Sequence, residues 1–252
     1  MVFLFKKHAV NNDQPGSATR AVPRHVALIM DGNGRWAESR GLPRVAGHKQ
    51  GMDAVRMAIR AAAKEGIEYL TLYAFSSENW ARPADEVSTL MDLLRSYIRS
   101  EIEELDREGV CLRFIGRRED LAEDIRQLML EAEERTKSNR RIFVQIALSY
   151  GSRTEIVDAT RQLAQRVKDG TLEVQDIDAE MISGALYTND IPDPDLIIRT
   201  SGEHRLSNFL LWQSAYAELV FLDEHWPVFD ANSLARAIDI YSARDRRFGG
   251  RR

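Results

Sequence analysis

One cysteine, Cys111, stands in 252 residues, so no internal disulfide forms and nothing asks for an oxidising compartment. The cysteine and histidine spacings of zinc sites are missing too. No run approaches the roughly 20 apolar residues that a bilayer-spanning helix needs, and the N-terminal MVFLFKK places its charges after a very short apolar run, the wrong order for a secretory signal. A cytoplasmic protein is expected, with any membrane contact peripheral, at the inner face. Basic excess is lacking: the formal net charge of −4 argues against a nucleic-acid partner. Lysine is scarce, six of 35 basic residues, and the arginine bias is read mostly as genome composition. Arginines beside Gly-rich loops are the exception, because a guanidinium grips phosphate with two donors. No GxxxxGK[ST] loop, no GxGxxG after a strand and no GxSxG elbow occurs, which removes support from nucleotide, dinucleotide and serine-hydrolase readings.

What is present fits one large α/β domain better than two small ones, with 44% hydrophobic and 29% charged residues. Residues 1–22 mix Asn, Asp, Gln, Pro, Gly and Ser without periodicity and read as a disordered leader, leaving 23–252 as the domain. Short apolar or β-branched runs at 25–30, 69–75, 110–115, 142–148, 195–200 and 218–222 predict six buried strands. Helical patterns at 48–65, 85–108, 118–138, 153–169, 176–186 and 231–245 alternate with them. The expectation is a single α/β domain with a central, mainly parallel six-stranded sheet flanked by helices. Val87, Leu90, Met91, Leu94, Ile98, Ile102 and Leu105 form one apolar stripe. Core packing explains that stripe, and so does a lipid-filled groove. Glu119/Glu123 and Asp120/Asp124 share helical spacing and are read as a solvated face, not a metal motif.

In open parallel sheets ligands bind beyond the carboxyl ends of the strands. After the first strand comes Asp31-Gly32-Asn33-Gly34-Arg35-Trp36, with Arg44 and His48 further on. Glycines let backbone N–H groups approach a phosphate, and a carboxylate beside that phosphate implies an intervening cation such as Mg²⁺. An ordinary Asx-Gly turn is the bland alternative. After the second strand, Ser76, Ser77, Glu78, Asn79, Trp80 and Arg82 line up; each could equally be a loop cap. After the fifth come Arg199, Arg205, Ser207 and Asn208, then Glu218 at the next strand. Arg199 ends an apolar strand, where a charge is costly without a partner, and this favours a ligand role.

Together HVALIMDGNGRWA, GHKQG, LYAFSSENWARP, DLIIRTSGEHRLSNFLLWQSAYAELVF and the closing RDRRFGG resemble the cis-prenyltransferase family, and within it the bacterial undecaprenyl diphosphate synthases, over about residues 24–250. The resemblance implies a homodimer, a hydrophobic cleft between sheet and helices for the growing chain, and condensation of isopentenyl diphosphate onto an allylic diphosphate such as farnesyl diphosphate. By position it implies that Asp31 binds Mg²⁺ and assists diphosphate departure. Gly32, Asn33, Gly34, Arg35, Trp36, Arg44 and His48 match the allylic-substrate site, and Ser76, Ser77, Glu78, Trp80 and Arg82 match the substrate-contacting loop. Arg199, Arg205, Leu206 and Ser207 match the isopentenyl diphosphate site, Glu218 a second metal ligand, and Asn79 a proton acceptor. An amide is a very poor base, so Asn79 is expected to position groups while a diphosphate oxygen takes the proton. Ser149 and Ser152 stand where the family usually has Asn and Gly, which predicts discomfort if position 152 has positive φ. A non-catalytic partner subunit and a phosphohydrolase are the rival readings. Retention of Asp31, Arg35, Arg199, Arg205 and Glu218 weighs against the first, and the apolar stripe with two Arg clusters against the second.

Overall fold

The computed structural model describes residues 20–244; most of the expected leader, and the closing tail beyond Arg244, lie outside the described residues. The order is β1 (His25–Ile29), α1 (Asn33–Glu38), α2 (Arg44–Glu65), β2 (Tyr69–Ser76), α3 (Ala84–Arg107), β3 (Val110–Ile115), α4 (Glu123–Thr136), β4 (Ile142–Tyr150), α5 (Ser152–Lys168), α6 (Ala179–Ala185), β5 (Leu196–Arg199), β6 (Glu218–Phe221) and α7 (Ala231–Ser242). All six predicted strands form, and every pairing is parallel, in the order β3-β4-β2-β1-β5-β6. The topology reverses at β1, which has β2 on one side and β5 on the other. Their carboxyl ends frame the crevice where a doubly wound sheet binds its ligands.

All five residues of β1 are buried, as a strand covered on both faces requires. Val26, Leu28, Leu70, Leu72 and Ile146 pack on one face with apolar side chains of α2, α3, α4 and α7. Ala27, Ile29, Tyr73 and Ala147 pack on the other beneath Phe209 and Leu210 of the long β5–β6 connection. Edge strand β3 is closed by side chains: Leu112 N–H donates to Thr136 Oγ1 at 3.0 Å and Phe114 N–H to Glu133 Oε1 at 2.8 Å, which removes a template for strand addition.

Helix boundaries differ from expectation where single residues, and not periodicity, set the first turn. α2 begins at Arg44, just after extended Pro43, instead of at 48. Residues 118–120 form a separate 3₁₀ turn before buried Leu121, so α4 begins at Glu123. The pairs Glu119/Glu123 and Asp120/Asp124 therefore do not share a helix. Asp120 accepts from Ser149 Oγ at 2.7 Å and Asp124 pairs with Arg95 at 2.6 Å. α6 starts only at Ala179, where the Asp178 carboxylate caps Met181 N–H at 2.8 Å. The six-residue α1 is an addition to the predicted set.

Candidate active site

Parallel register brings Ile29 of β1 opposite Arg199 of β5, so Asp31, just beyond β1, meets the end of its neighbour. Arg199 donates to Asp31 Oδ2 at 2.8 Å, to Ser207 Oγ at 2.7 Å and to the Arg205 carbonyl at 2.5 Å. Its side chain is only 5% exposed. The other carboxylate oxygen of Asp31 faces Arg35 at 3.0 Å, and Arg35 also pairs with Glu203 at 2.8 Å. Burial pushes the Asp31 carboxyl up, but the Arg199 and Arg35 guanidiniums outweigh it and hold the group below the usual carboxylate value.

The turn after Asp31 needs glycine. Gly32 has φ +99°, and a Cβ there would lie 2.6 Å from Ser201 Oγ and 2.7 Å from His225 Nδ1. Gly34 is inside α1, where a Cβ would meet nothing nearer than Arg44 at 3.7 Å. The second expected loop leaves β2 at Ser76 as a 3₁₀ turn over Ser77–Ala81. Asn79 Oδ1 accepts from Ser76 N–H at 3.0 Å. Glu78 Oε1 accepts from Asn208 Nδ2 at 2.8 Å. Trp80 donates from Nε1 to Ser149 Oγ at 2.8 Å and sits edge-on to Phe75, while Arg82 pairs with Glu86 at 2.8 Å. His48 is half-buried, and burial together with the Arg82 and Arg44 charges lowers its pKa, favouring neutral imidazole.

Two joined cavities result. A polar one of about 570 Å³ collects Asp31, Asn33, His48, Ser76, Glu78, Asn79, Arg82, Arg199, Arg205 and Ser207. A narrow apolar one of about 100 Å³ lies between α2, α3 and the sheet, lined by Met52, Val55, Leu72, Phe75, Met91, Leu94, Tyr97, Ile98 and Ile146 among others. Met30, Asn33, His48, Tyr73, Ala74 and Leu90 border both and form the neck. The α3 stripe thus answers to both of its readings: Leu90, Met91, Leu94 and Ile98 line the cleft, and Leu105 is buried core.

The sequence model of the family described as "Putative undecaprenyl diphosphate synthase" matches residues 29–249. The chain belongs to this family. It is 56% identical over 235 residues to the isoprenyl transferase of Agrobacterium fabrum (strain C58), covering 93% of this chain and 95% of that protein. Against the ditrans,polycis-undecaprenyl-diphosphate synthase ((2E,6E)-farnesyl-diphosphate specific) of Pseudomonas aeruginosa it is 54% identical over 228 residues, covering 90% and 91%. Among solved structures, lavandulyl diphosphate synthase from Lavandula x intermedia in complex with dimethylallyl diphosphate superposes with a TM-score of 0.88 at 36% identity, over 90% of this chain and 98% of that one. A probable undecaprenyl diphosphate synthase from Campylobacter jejuni gives 0.75 at 33%, over 91% and 99%.

In this prenyltransferase not every expected site residue reaches the polar cavity. Arg44 pairs with Glu38 at 2.8 Å, Trp36 stacks under Arg40 with the guanidinium 4.5 Å from its ring centre, and Leu206 packs against the second core. Ser77 lies against the β4–α5 turn. Glu218 is the clear separation. It starts β6 opposite Leu196, whereas Arg199 is opposite Phe221. Strand rise puts it on the order of 15 Å from the Asp31 end of the sheet, and it pairs with Arg244 at 2.6 Å. Asp31 and Glu218 of one chain therefore cannot share an ion. Among the described residues no three His, Cys, Asp or Glu side chains converge as a metal cage. Asp31 alone still fits Mg²⁺ in its usual mode, with one or two carboxylates and the remaining shell from substrate phosphates and water. Both flanking guanidiniums are themselves phosphate-competent.

The condition attached to position 152 is not met. Ser152 begins α5, and it is Ser149 that has positive φ, 46°. Its hydroxyl compensates by bonding Trp80 and Asp120. Asn208 lies within a quoted motif but is not among the expected site residues, and Met52, Val55 and Tyr97 lie in no motif; only folding faces these four to the cavities.

Proposed function

We propose that the chain condenses isopentenyl diphosphate units onto farnesyl diphosphate to make a Z-polyprenyl diphosphate of about undecaprenyl length, a lipid-carrier precursor for cell-wall glycan. The observation that carries this reading is the continuity of a guanidinium-rich polar cavity with an apolar cleft through one neck. Arg82, Arg199 and Arg205 of the first suit diphosphate groups, and the apolar walls of the second suit a hydrocarbon chain, which must part α2 and α3 from the sheet as it lengthens. The farnesyl specificity in the name of the Pseudomonas relative supports the choice of primer.

Asp31, kept ionised, is the anchor for Mg²⁺, which when bound supplies neutralisation of charge on the departing diphosphate. Arg35 donates to the allylic diphosphate. Arg199, Arg205 and Ser207 hold and orient isopentenyl diphosphate, so that its double bond faces the allylic carbon. The C–C bond forms as the allylic C–O bond breaks, and one proton leaves to create the new Z double bond. Asn79 has its carbonyl oxygen committed to Ser76 N–H, which leaves only amide donors to offer. It orients a substrate oxygen, and a diphosphate oxygen takes the proton. As a second metal ligand Glu218 serves only a neighbouring copy, and this fits the homodimer we propose, as do exposed Leu211 and Tyr216 on the β5–β6 connection. Among the described residues no helix is long and apolar enough to cross a membrane. We place the enzyme in the cytoplasm with peripheral contact at the inner membrane face, without a nucleic-acid partner.

The test is incubation of the purified chain with farnesyl diphosphate, labelled isopentenyl diphosphate and Mg²⁺, with and without chelator, followed by chain-length analysis. A long product that disappears with chelator or with Asp31→Ala is expected. No elongation under any metal condition would demote the catalytic reading in favour of a non-catalytic partner subunit.

A further inference from the structure

Asn208 ties its own loop to two other segments at once. Its Oδ1 accepts from Arg153 N–H at 2.9 Å and its carbonyl from Ser152 N–H at 2.8 Å, both at the start of α5. Its Nδ2 donates to Glu78 Oε1 at 2.8 Å. A backbone N–H demands the oxygen end of the amide, so the nitrogen end must face Glu78. The junction is tight: a Cβ on Gly151 would lie 2.4 Å from Ser77 Oγ and 2.7 Å from Asn208 Nδ2. The β4–α5 turn is thus a floor against which both loops are pressed. On one side of the Asn208–Glu78 bond is Ser207, held by Arg199; on the other is Asn79, held by Ser76.

We propose that Asn208 is a positioning residue that locks the Ser76–Asn79 loop to the Arg199–Ser207 loop, fixing the separation of the two substrate-holding clusters. The proposal rests on the two-substrate reading above. It goes further by assigning their mutual alignment to one side-chain amide. Misalignment by even an ångström between reacting groups costs rate without necessarily costing binding, so the signature of this role is a fall in kcat with KM held. Asn208 has φ +63°, a conformation that Asp also tolerates. Asn208→Asp therefore keeps the backbone and the Arg153 bond while turning the donor toward Glu78 into a second carboxylate.

The experiment is a four-protein cycle on the full chain: wild type, Asn208→Asp, Glu78→Gln and the double variant. Kinetics are followed with farnesyl and isopentenyl diphosphates, and melting temperatures are measured on the same proteins. With Glu78 present, Asn208→Asp is expected to lower kcat roughly tenfold or more, a coupling typical of contacting polar groups. In the Glu78→Gln background most of that loss is recovered, because the introduced amide nitrogen donates to the introduced carboxylate and restores the bond with its direction reversed. Lowering the pH also relieves the single variant, because one proton removes the repulsion between adjacent carboxylates. An equal loss in both backgrounds, a loss confined to KM, or no loss at all would overturn the proposal. If the wild-type chain itself makes no polyprenyl product, the functional reading fails instead. The lock is then judged on the melting temperatures: coupling between positions 78 and 208 sustains it, and simple additivity sinks it.

Discussion

Asp31 and Arg199 stand at the carboxyl ends of neighbouring parallel strands and share a hydrogen bond of 2.8 Å, although they are 168 residues apart in sequence. Arg199 is almost wholly buried. Removing its partner leaves an uncompensated charge. Asp31→Ala should lower stability by about 3 kcal/mol, the lower end for breaking a buried pair, and reduce product formation by a factor of about 10³ or more. Urea denaturation and the elongation assay read the two effects separately. An inactive variant of unchanged stability would show that Arg199 is satisfied without Asp31.

His25 is buried in β1. Its Nδ1–H donates to the Pro192 carbonyl at 2.7 Å and its Nε2 accepts from Thr71 at 2.8 Å. Burial lowers its pKa from 6.5 to about 4 despite the Pro192 hydrogen bond. The unfolded chain thus takes up a proton that the fold refuses between these values, so stability is full above the unfolded pKa, declines as pH falls, and levels off below the folded one. The loss at pH 5 relative to pH 7 is about 2 kcal/mol by linkage. His48, also lowered, adds in the same direction. His25→Gln should flatten the pH dependence seen in urea melts; an unchanged slope would assign it to other groups.

Tyr97 lines the apolar cleft two turns along α3 from Leu90 at the neck, and its hydroxyl is buried without a partner. Tyr97→Phe removes a polar atom that the fold leaves unpaired, and should be neutral or stabilising by up to about 1 kcal/mol. Tyr97→Ala enlarges the cleft. It should shift products to longer chains while costing about 3 kcal/mol of stability. Chromatography of the products checks the shift, and an unchanged length distribution would move the limiting contact elsewhere.

Asn79→Asp places a carboxylate where Asn79 Oδ1 now accepts from Ser76 N–H, so the loop should survive while the amide donors are lost. A rate reduction of roughly tenfold to a hundredfold is expected for a positioning group, with no new ionisation in the pH–rate profile. Wild-type rate with a carboxylate-like pH dependence would instead make position 79 a base.

Strand positions were legible because a parallel, doubly covered sheet writes itself as short apolar runs, and each predicted run from 25–30 to 218–222 coincides with an observed strand, with β2 and β4 extending slightly past theirs. The chemistry of the loops was legible for the same reason: Asp31, Ser76 and Arg199 stand at or just after strand ends, where such sheets bind ligands. Helix starts were less so. The first turn of a helix is set by single residues such as Pro43 and Asp178, not by periodicity, and α1 is too short to show any.

By itself the sequence determined the α/β class, the six strands, the absence of disulfide and nucleotide-loop chemistry, and the motifs that place the chain in its family. Strand order and register decided the rest. They bring Asp31 to Arg199, send Glu218 to the opposite edge, put the strained backbone at Ser149 and not Ser152, and make Asn208 the meeting point of two loops. None of these is a local property, because hydrogen bonds between residues 130 or more positions apart exist only once the crossovers have set which strands are neighbours.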